Sequence, residues 1–240
     1  WVVFSAHGVS PVVHREAESR GLRAVDATCP LVTKVHVEAR RFAKEARTIF
    51  LIGHKNHVEV IGTSGEAPEH IVVVGTKEEA EQVSAADPKR VSYLTQTTLS
   101  MDDTRDILAV LQRRFPALSG PGKEDICYAT QNRQNAVKAL AAECDAILVV
   151  GSANSSNSRR LVEVAQARGV RAQLIDSPQE LAADWLGNAL RVGVTAGASA
   201  PEEVVQAVVR HLSSNWGGRV RELAVVEEDV NFPLPRILTT

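Results

Sequence analysis

Short apolar runs rich in β-branched residues alternate along this chain with segments in which apolar residues recur every three or four positions. Runs of the first kind predict strands at residues 2–6, 48–53, 71–75, 91–95, 146–151, 172–175 and 192–195. Segments of the second kind predict amphipathic helices at residues 34–46, 102–114, 133–144, 156–168 and 202–212. Because strands and helices alternate and the strands are apolar throughout, the pattern predicts an α/β fold with mainly parallel sheets that are covered on both faces.

The sequence also repeats itself. The segment DATC ending at Cys29 and the segment EDIC ending at Cys127 each precede a predicted helix, and residues 49–57 resemble residues 147–155 at the same offset of 98 positions. Self-similarity at a fixed spacing indicates duplicated structural units. We therefore expect a pseudo-threefold arrangement of α/β domains around a central site. Its parts are the remnant of a largely missing first domain at 1–28, a second domain at 29–126, a third at 127–215 and a C-terminal tail at 216–240.

Composition narrows the class of protein. The 240 residues carry a formal charge of −2 and no long basic run, so nucleic acid is not expected as the main partner. No apolar stretch approaches the roughly 18 residues of a membrane span, and the opening segment shows no secretory signal. We expect a cytoplasmic protein with no membrane partner. The opening segment WVVFSAHG resembles a strand already in progress, so we also expect the chain to be truncated and, as it stands, inactive.

The repeat suggests a role for two of the three cysteines. If every unit carries a cysteine at the equivalent place, the first unit's cysteine lies about seventy residues upstream of Trp1. Three thiolates that face a common centre and leave one coordination position open suit a cuboidal iron–sulfur cluster. An isolated cysteine is more often a buried packing residue. We expect that role for Cys144, which has no counterpart in the repeat.

The loop after the strand at 48–53 carries His54, His57 and Glu59, and it permits three interpretations. The three side chains could bind zinc, as in a zinc hydrolase. The segment could equally be a solvated loop without a chemical role. Alternatively, His57 could bind an anionic substrate while Glu59 supplies a proton.

Hydroxyl and amide side chains follow another predicted strand. The run from Ser152 to Ser158 contains six serine or asparagine residues and links a buried strand to a helix. Such a run predicts a phosphate site built from backbone N–H groups and polar side chains. Serine and asparagine are also favoured helix caps, which is the plainer interpretation.

A third kind of loop recurs three times after predicted strands. It contains His7 in the first copy, Thr97 and Thr98 in the second, and Ser199 in the third. Ser199 stands before Pro201 and is predicted to cap a helix. From the repeat we expect His7, Thr97 and Ser199 to surround one axis.

The stretches FSAHGVS, DATCPLVTKVH, IGHKNHVEVIGT, TQTTLS, DICYATQNRQ, VVGSANSSNS and GVTAGASAP follow one another between Phe4 and Pro201. Together, and in this order, they closely resemble the LytB/IspH family, the 4-hydroxy-3-methylbut-2-enyl diphosphate reductases of the methylerythritol phosphate pathway of isoprene biosynthesis. So many long matches make an accidental similarity implausible. By contrast, the G-x-G-x-x-G pattern of nicotinamide and flavin enzymes is absent from the sequence.

The resemblance implies a central 4Fe–4S cluster held by three cysteines, two of which match Cys29 and Cys127. The third belongs to an N-terminal motif of the type RGFCAGV, which these residues lack together with a further substrate-binding histidine. In the family, an external carrier of the ferredoxin or flavodoxin type supplies electrons. The allylic diphosphate substrate is reduced to isopentenyl or dimethylallyl diphosphate.

The resemblance also implies roles for individual residues. Glu59 matches the family's proton donor, and Thr97 matches the threonine beside the substrate hydroxyl, so both are expected to be catalytic. Substrate binding is expected of His7, His57, Thr97, Thr98, Ser155, Ser156, Asn157 and Ser199. Two alternatives to a reductase stay open at this point, namely a non-catalytic diphosphate-binding module that uses the serine and asparagine loops, and the zinc hydrolase described above.

Overall fold

The computed structural model describes residues 1–182 and 184–234. Its strands are β1 (Val2–Phe4), β2 (Ala24–Asp26), β3 (Thr48–Ile52), β4 (Ile71–Val74), β5 (Val91–Thr95), β6 (Ala146–Val150), β7 (Arg171–Ile175) and β8 (Val192–Ala196). Its α-helices are α1 (Pro11–Ser19), α2 (Pro30–Lys44), α3 (Val58–Ser64), α4 (Lys77–Gln82), α5 (Met101–Arg114), α6 (Tyr128–Glu143), α7 (Ser156–Gln166) and α8 (Glu202–Trp216). A short 3₁₀ helix covers Pro178–Glu180.

The strands form three sheets in which every pair is parallel. Their orders are β1-β2, β4-β3-β5 and β7-β6-β8. Each parallel pair is connected through at least one helix, as parallel pairing requires. The predicted α/β class with parallel sheets is therefore confirmed.

The chain divides into two compact units. Unit 1 comprises Trp1–Cys127 together with the described residues from Val230 onward, and unit 2 comprises Tyr128–Asp229. Unit 1 contains the sheets β1-β2 and β4-β3-β5, and unit 2 contains the sheet β7-β6-β8. The finer division into domains at 1–28, 29–126, 127–215 and 216–240 stays a prediction.

The central strand of each three-stranded sheet is buried on both faces, which explains its continuous apolar sequence. In unit 1, Ile49 and Leu51 pack with α2 and α3, whereas Phe50 and Ile52 pack with α4 and α5. In unit 2 the residues of β6 alternate in the same way, so that one set packs with α6 and α7 and the other with α8. In both units, the loops that follow the strands therefore begin at the edge of a sheet that is packed between helices.

The structure adds elements that the pattern does not predict. The strand β2 and the helices α3 and α4 are three, seven and six residues long, which is too short for a period to become visible. The helices α2 and α6 also begin earlier than predicted, at Pro30 and Tyr128. Each therefore begins directly after a cysteine. Within the described residues, no helix is long and apolar enough to cross a membrane.

Candidate active-site residues

Cys29 and Cys127 have similar backbone surroundings in unit 1. Cys29 is the N-cap residue of α2, and its N–H donates to the carbonyl of Ala6 at 3.0 Å. Cys127 directly precedes α6, and its N–H donates to the carbonyl of Thr97 at 2.9 Å. Both thiols are half-buried and form no disulfide. The thiolate is the form in which a cysteine binds a metal.

Glu59 is the acid that the loop after β3 contributes, and its carboxyl group is buried. It lies in the first turn of α3 and is 2% exposed. Oε1 accepts the backbone N–H of Thr97 at 2.6 Å, and Oε2 accepts the Thr97 hydroxyl at 3.0 Å. Burial raises the pKa of Glu59 to about 7, although the two hydrogen bonds from Thr97 act in the opposite direction. Near neutral pH the carboxyl group is therefore present in both its protonated and its ionised form.

Thr97 connects this acid to one of the cysteines. Its N–H and its hydroxyl donate to Glu59, and its carbonyl accepts the N–H of Cys127. A single residue of the loop after β5 therefore has the acid on one side and the cysteine segment on the other. The sequence motif TQTTLS suggested that Thr97 is important but did not reveal either contact.

Gln96 is a residue that the sequence reasoning missed. Its side chain is 1% exposed; Oε1 accepts the N–H of His54 at 3.1 Å, and Nε2 donates to the hydroxyl of Thr98 at 2.8 Å. It thereby joins the loop after β3 to the loop after β5. Gly53 makes this close approach possible, because a Cβ atom there would come within 3.2 Å of the Gln96 side chain. The available signal was the glutamine within an otherwise hydroxyl-rich motif.

The structure brings His7 and His57 together. Their rings lie edge to face with 5.5 Å between centroids. His57 is the N-cap residue of α3, and its Nδ1 accepts the N–H of Glu59 at 3.2 Å. Because Nδ1 accepts, the neutral ring carries its proton on Nε2, which can donate to an anionic ligand.

This geometry contradicts the zinc-site interpretation of His54, His57 and Glu59. Within residues 1–182 and 184–234, no three histidine, cysteine, aspartate or glutamate side chains are grouped so that they could hold a metal ion. The physical reason is that Nδ1 of His57 caps the helix and both oxygens of Glu59 accept hydrogen bonds from Thr97. The interpretation as a solvated loop holds for residues 54–56, which are exposed, but not for Glu59, which is buried.

In unit 2, the loop after β6 leads into the start of α7. Ser155 is the N-cap residue, and its hydroxyl accepts the N–H of Ser158 at 3.2 Å. A Cβ atom at Gly151 or Gly197 would come within 2.3 or 2.0 Å of the Ser158 hydroxyl, so both positions need glycine. The predicted cap is therefore present. It involves Ser155 and Ser158.

Asn157, in the same run, carries a buried amide group. It is 6% exposed, and neither its amide oxygen nor its amide nitrogen has a hydrogen-bond partner among the described residues. Leaving buried polar atoms unpaired costs about 1–3 kcal/mol, which native proteins rarely accept without a reason. Ser156, the first residue of α7, precedes it at the same helix end. Unpaired donors at a helix N-terminus are suited to an anion.

Ser199 does not cap α8, which corrects the sequence-based prediction. The helix begins at Glu202, and its N-cap residue is Pro201, which supplies no side-chain bond. Ser199 is exposed in the loop after β8. The N–H of Gln96 donates to the carbonyl at the end of β3, and the N–H of Gly197 does the same at the end of β6. This register aligns Ser199 with Thr98, and the expected equivalence with Thr97 is wrong by one residue.

Cys144 stands apart from the other two cysteines. Its half-buried thiol packs with the apolar cluster of unit 2, and a Cβ atom at Gly193 would come within 3.2 Å of its sulfur. Burial raises the pKa of its thiol. Both observations agree with the packing role expected from the sequence.

Comparisons with known proteins point to one family. A family model described as LytB protein matches residues 1–213. The 4-hydroxy-3-methylbut-2-enyl diphosphate reductase of Dechloromonas aromatica is 53% identical over 99% of this chain and 78% of its own length. That of Aromatoleum aromaticum is 54% identical over 100% and 77%. The solved structure of E-1-hydroxy-2-methyl-but-2-enyl-4-diphosphate reductase from Plasmodium falciparum superimposes with a TM-score of 0.94. It is 38% identical, and the match covers 99% of this chain and 76% of that one.

Proposed function

The chain belongs to the LytB protein family of 4-hydroxy-3-methylbut-2-enyl diphosphate reductases, and we propose that it removes the allylic hydroxyl of that substrate by reduction with a 4Fe–4S cluster. The reaction consumes two electrons and two protons, breaks the carbon–oxygen bond and releases water. A carbon–hydrogen bond forms in place of the carbon–oxygen bond. The products are isopentenyl and dimethylallyl diphosphate, the precursors of isoprenoids.

The proposal rests on two contacts of Thr97. It is hydrogen-bonded to Glu59 on one side and to the backbone of Cys127 on the other. Reductive removal of a hydroxyl group needs an acid, because water is a far better leaving group than hydroxide. Glu59 is buried and titrates near pH 7, which suits a proton donor at neutral pH. One residue then links this acid to a cysteine of the type that binds iron–sulfur clusters.

The donor set of unit 1 fits part of such a cluster. Cys29 and Cys127 are unpaired thiols at the starts of helices, and thiolates are the ligands that iron–sulfur clusters require. These two residues would hold the cluster. When bound, the cluster would supply reducing electrons and Lewis acidity. An external electron carrier of the ferredoxin or flavodoxin type would reduce it.

The roles of Glu59 and Thr97 follow from their hydrogen bonds. The Thr97 hydroxyl donates to Oε2 of the ionised carboxylate, and because a hydroxyl group also accepts, the bond can reverse when Oε2 carries the proton. Thr97 can then pass a proton from Glu59 toward the departing substrate oxygen. Burial keeps bulk water away from the acid.

The start of α7 supports the assignment of the diphosphate group. The amide group of Asn157 has no protein partner among the described residues, and a diphosphate would satisfy its N–H₂ donor. The helix N-terminus adds a favourable dipole and further N–H groups. We assign substrate binding to the full set inferred from the sequence, namely His7, His57, Thr97, Thr98, Ser155, Ser156, Asn157 and Ser199.

The proposal is tested with the protein expressed from its complete reading frame and reconstituted without oxygen. With reduced methyl viologen as the electron source, we expect oxidation of the dye on addition of 4-hydroxy-3-methylbut-2-enyl diphosphate, and both products by mass spectrometry. Cys127→Ser should lower iron content and abolish turnover. Cys144→Ser is the matched control and should load iron as the wild type does. Wild-type protein that takes up no iron, or that binds the substrate without reducing it, would reject the reductase in favour of a diphosphate-binding module.

A further inference from the structure

Lys34 makes a set of contacts that the proposed chemistry does not use. It lies in the second turn of α2, the helix that Cys29 caps. Its ammonium group donates to the carbonyl of Lys123, to the carbonyl of Glu124 at 3.1 Å and to Oδ1 of Asp125 at 2.9 Å. One side chain therefore binds three oxygens of the segment that leads to Cys127.

Asp125 connects the same segment to the end of β5. Its side chain is fully buried, and Oδ2 accepts the N–H of Thr95 at 3.0 Å. Thr95 is the last residue of β5, the strand whose following loop contains Thr97. Lys34, Asp125 and Thr95 thus join α2, the segment before Cys127 and the end of β5. We call these three residues the clip.

The clip is more buried than the exposed ion pairs of unit 1. The side chain of Lys34 is 25% exposed and that of Asp125 is 0% exposed, whereas Lys77 and Asp106 are 53% and 52% exposed. A buried ion pair is a poor source of stability, because removing both charges from water costs several kcal/mol. Its best-attested use is to fix one arrangement of the chain. A pair that replaces its water with three protein oxygens and a backbone N–H holds the segment in a defined position.

We propose that the clip positions Cys127 relative to Cys29, so that both thiols are in place before the cluster is assembled. Lys34 is thus a positioning residue, since it acts through the segment that carries Cys127 and touches no reacting group. The assignment of a metal to the two thiols rests on the proposed function, but the positioning of the segment does not. In the apoprotein, the clip holds the Cys127 N–H against the Thr97 carbonyl.

The first test is hydrogen exchange of the Cys127 amide in the apoprotein, followed by NMR. In Lys34→Met we expect that amide to exchange about ten-fold faster or more, because the segment opens locally. The amide of Leu51 in the central strand should exchange at the wild-type rate. The control is Lys77→Met, which breaks an exposed ion pair in the same unit and should change neither rate. Equal acceleration at Cys127 and Leu51 would show general destabilisation and would overturn the proposal.

The second test is iron uptake of the protein from the complete reading frame, with its electron paramagnetic resonance signal after reduction. Lys34→Met should incorporate less iron and give a broadened signal. Because this variant leaves a buried carboxylate unpaired, the double variant Lys34→Met with Asp125→Asn should recover unfolding stability while Cys127 exchange stays fast and iron uptake stays low. Wild-type exchange and wild-type iron in both variants would overturn the proposal, as would failure of the double variant to fold. If the wild-type protein itself takes up no iron, the proposed function fails, and the exchange result still decides the positioning role.

Discussion

The sheets β4-β3-β5 and β7-β6-β8 share the same strand order, yet the loops at their ends are prepared for different tasks. In unit 1, Glu59 is buried and both of its oxygens accept hydrogen bonds from Thr97. In unit 2, Asn157 is equally buried, and its amide has no partner among the described residues. Sheets with the same strand order thus carry two different buried groups. The carboxyl group of Glu59 is hydrogen-bonded within the protein, whereas the amide group of Asn157 has no hydrogen-bond partner among the described residues.

The difference follows from what each group has to do. A proton donor needs a fixed environment that sets its pKa, and internal partners together with burial provide that environment. A residue that binds a ligand needs donors that are still unpaired when the ligand arrives. The cost of leaving them unpaired is recovered as selectivity for a ligand that pairs them. The two sheets therefore share a strand order while the residues of their loops differ in what they contact.

The largest effect is expected for the acid. Glu59→Gln keeps the shape of the side chain but removes the proton, so kcat should fall by about 10²–10⁴-fold with a small change in KM. Steady-state assays of the reconstituted protein measure both quantities. Glu78→Gln, at an exposed position of the same unit, should behave like the wild type. Full activity of Glu59→Gln would remove Glu59 from the mechanism.

The stability of unit 1 should depend on pH through the same residue. The pKa of Glu59 is raised from 4.5 to about 7 in the folded protein, so the folded state favours the protonated form. The stabilisation is fully present below pH 4.5 and is lost as the pH rises through 7, a change of about 3 kcal/mol.

Urea unfolding of the apoprotein between pH 5 and pH 8 measures this dependence. Relative to Glu59→Gln, the wild type should lose about 2.5 kcal/mol of unfolding free energy over that range, since the remainder is lost below pH 5. Glu78→Gln should parallel the wild type. If the curves of the wild type and Glu59→Gln are parallel, Glu59 does not titrate in this range.

Replacement of Asn157 should weaken substrate binding and leave the stability of the protein almost unchanged. Asn157→Ala should raise the Kd of the substrate about 10-fold to 100-fold, because a hydrogen bond to a charged ligand is lost. The free energy of unfolding should hardly fall, since the amide has no partner to lose. Calorimetric binding of the substrate and thermal unfolding measure the two quantities. Asn154→Ala, at an exposed position in the same loop, serves as control, and a loss of stability without a loss of affinity would contradict the account.

The smallest effect concerns the aligned pair Thr98 and Ser199. Thr98→Val removes the acceptor for the buried amide of Gln96 and should cost about 1 kcal/mol of stability. Ser199→Ala, at the exposed counterpart in unit 2, should stay within about 0.5 kcal/mol of the wild type. Chemical unfolding of both variants tests the contrast. Equal effects would mean that the two loops do not differ in this respect.

The sequence was sufficient for the fold class because continuous apolar strands such as β3 and β6 leave few alternatives. It was not sufficient for contacts between distant positions. Lys34 and Asp125 are separated by 91 residues, and nothing in either local pattern indicates a buried ion pair. The cap predicted at Ser199 failed because Pro201, with its fixed φ, takes the N-cap position itself.

For Glu59, the motif indicated an acid, but its burial depends on the short helix α3, which no periodicity revealed. The repeat gave the general equivalence of the loops. The repeat aligned Ser199 with Thr97, whereas the structure aligns it with Thr98. The backbone hydrogen bonds at the strand ends determine this register, and the sequence does not show them. Sequence patterns therefore identified the loops, and the packing of the loops determined what each residue can do.

The central claim is that unit 1 holds a buried acid that is poised to donate a proton near neutral pH. The most direct measurement is a pH titration by ¹³C NMR of the apoprotein with labelled glutamate side chains, in which Glu59→Gln assigns the resonance. We expect the Glu59 carboxyl carbon to titrate with a midpoint of about 7. A midpoint at the ordinary glutamate value of 4.5 would contradict the claim.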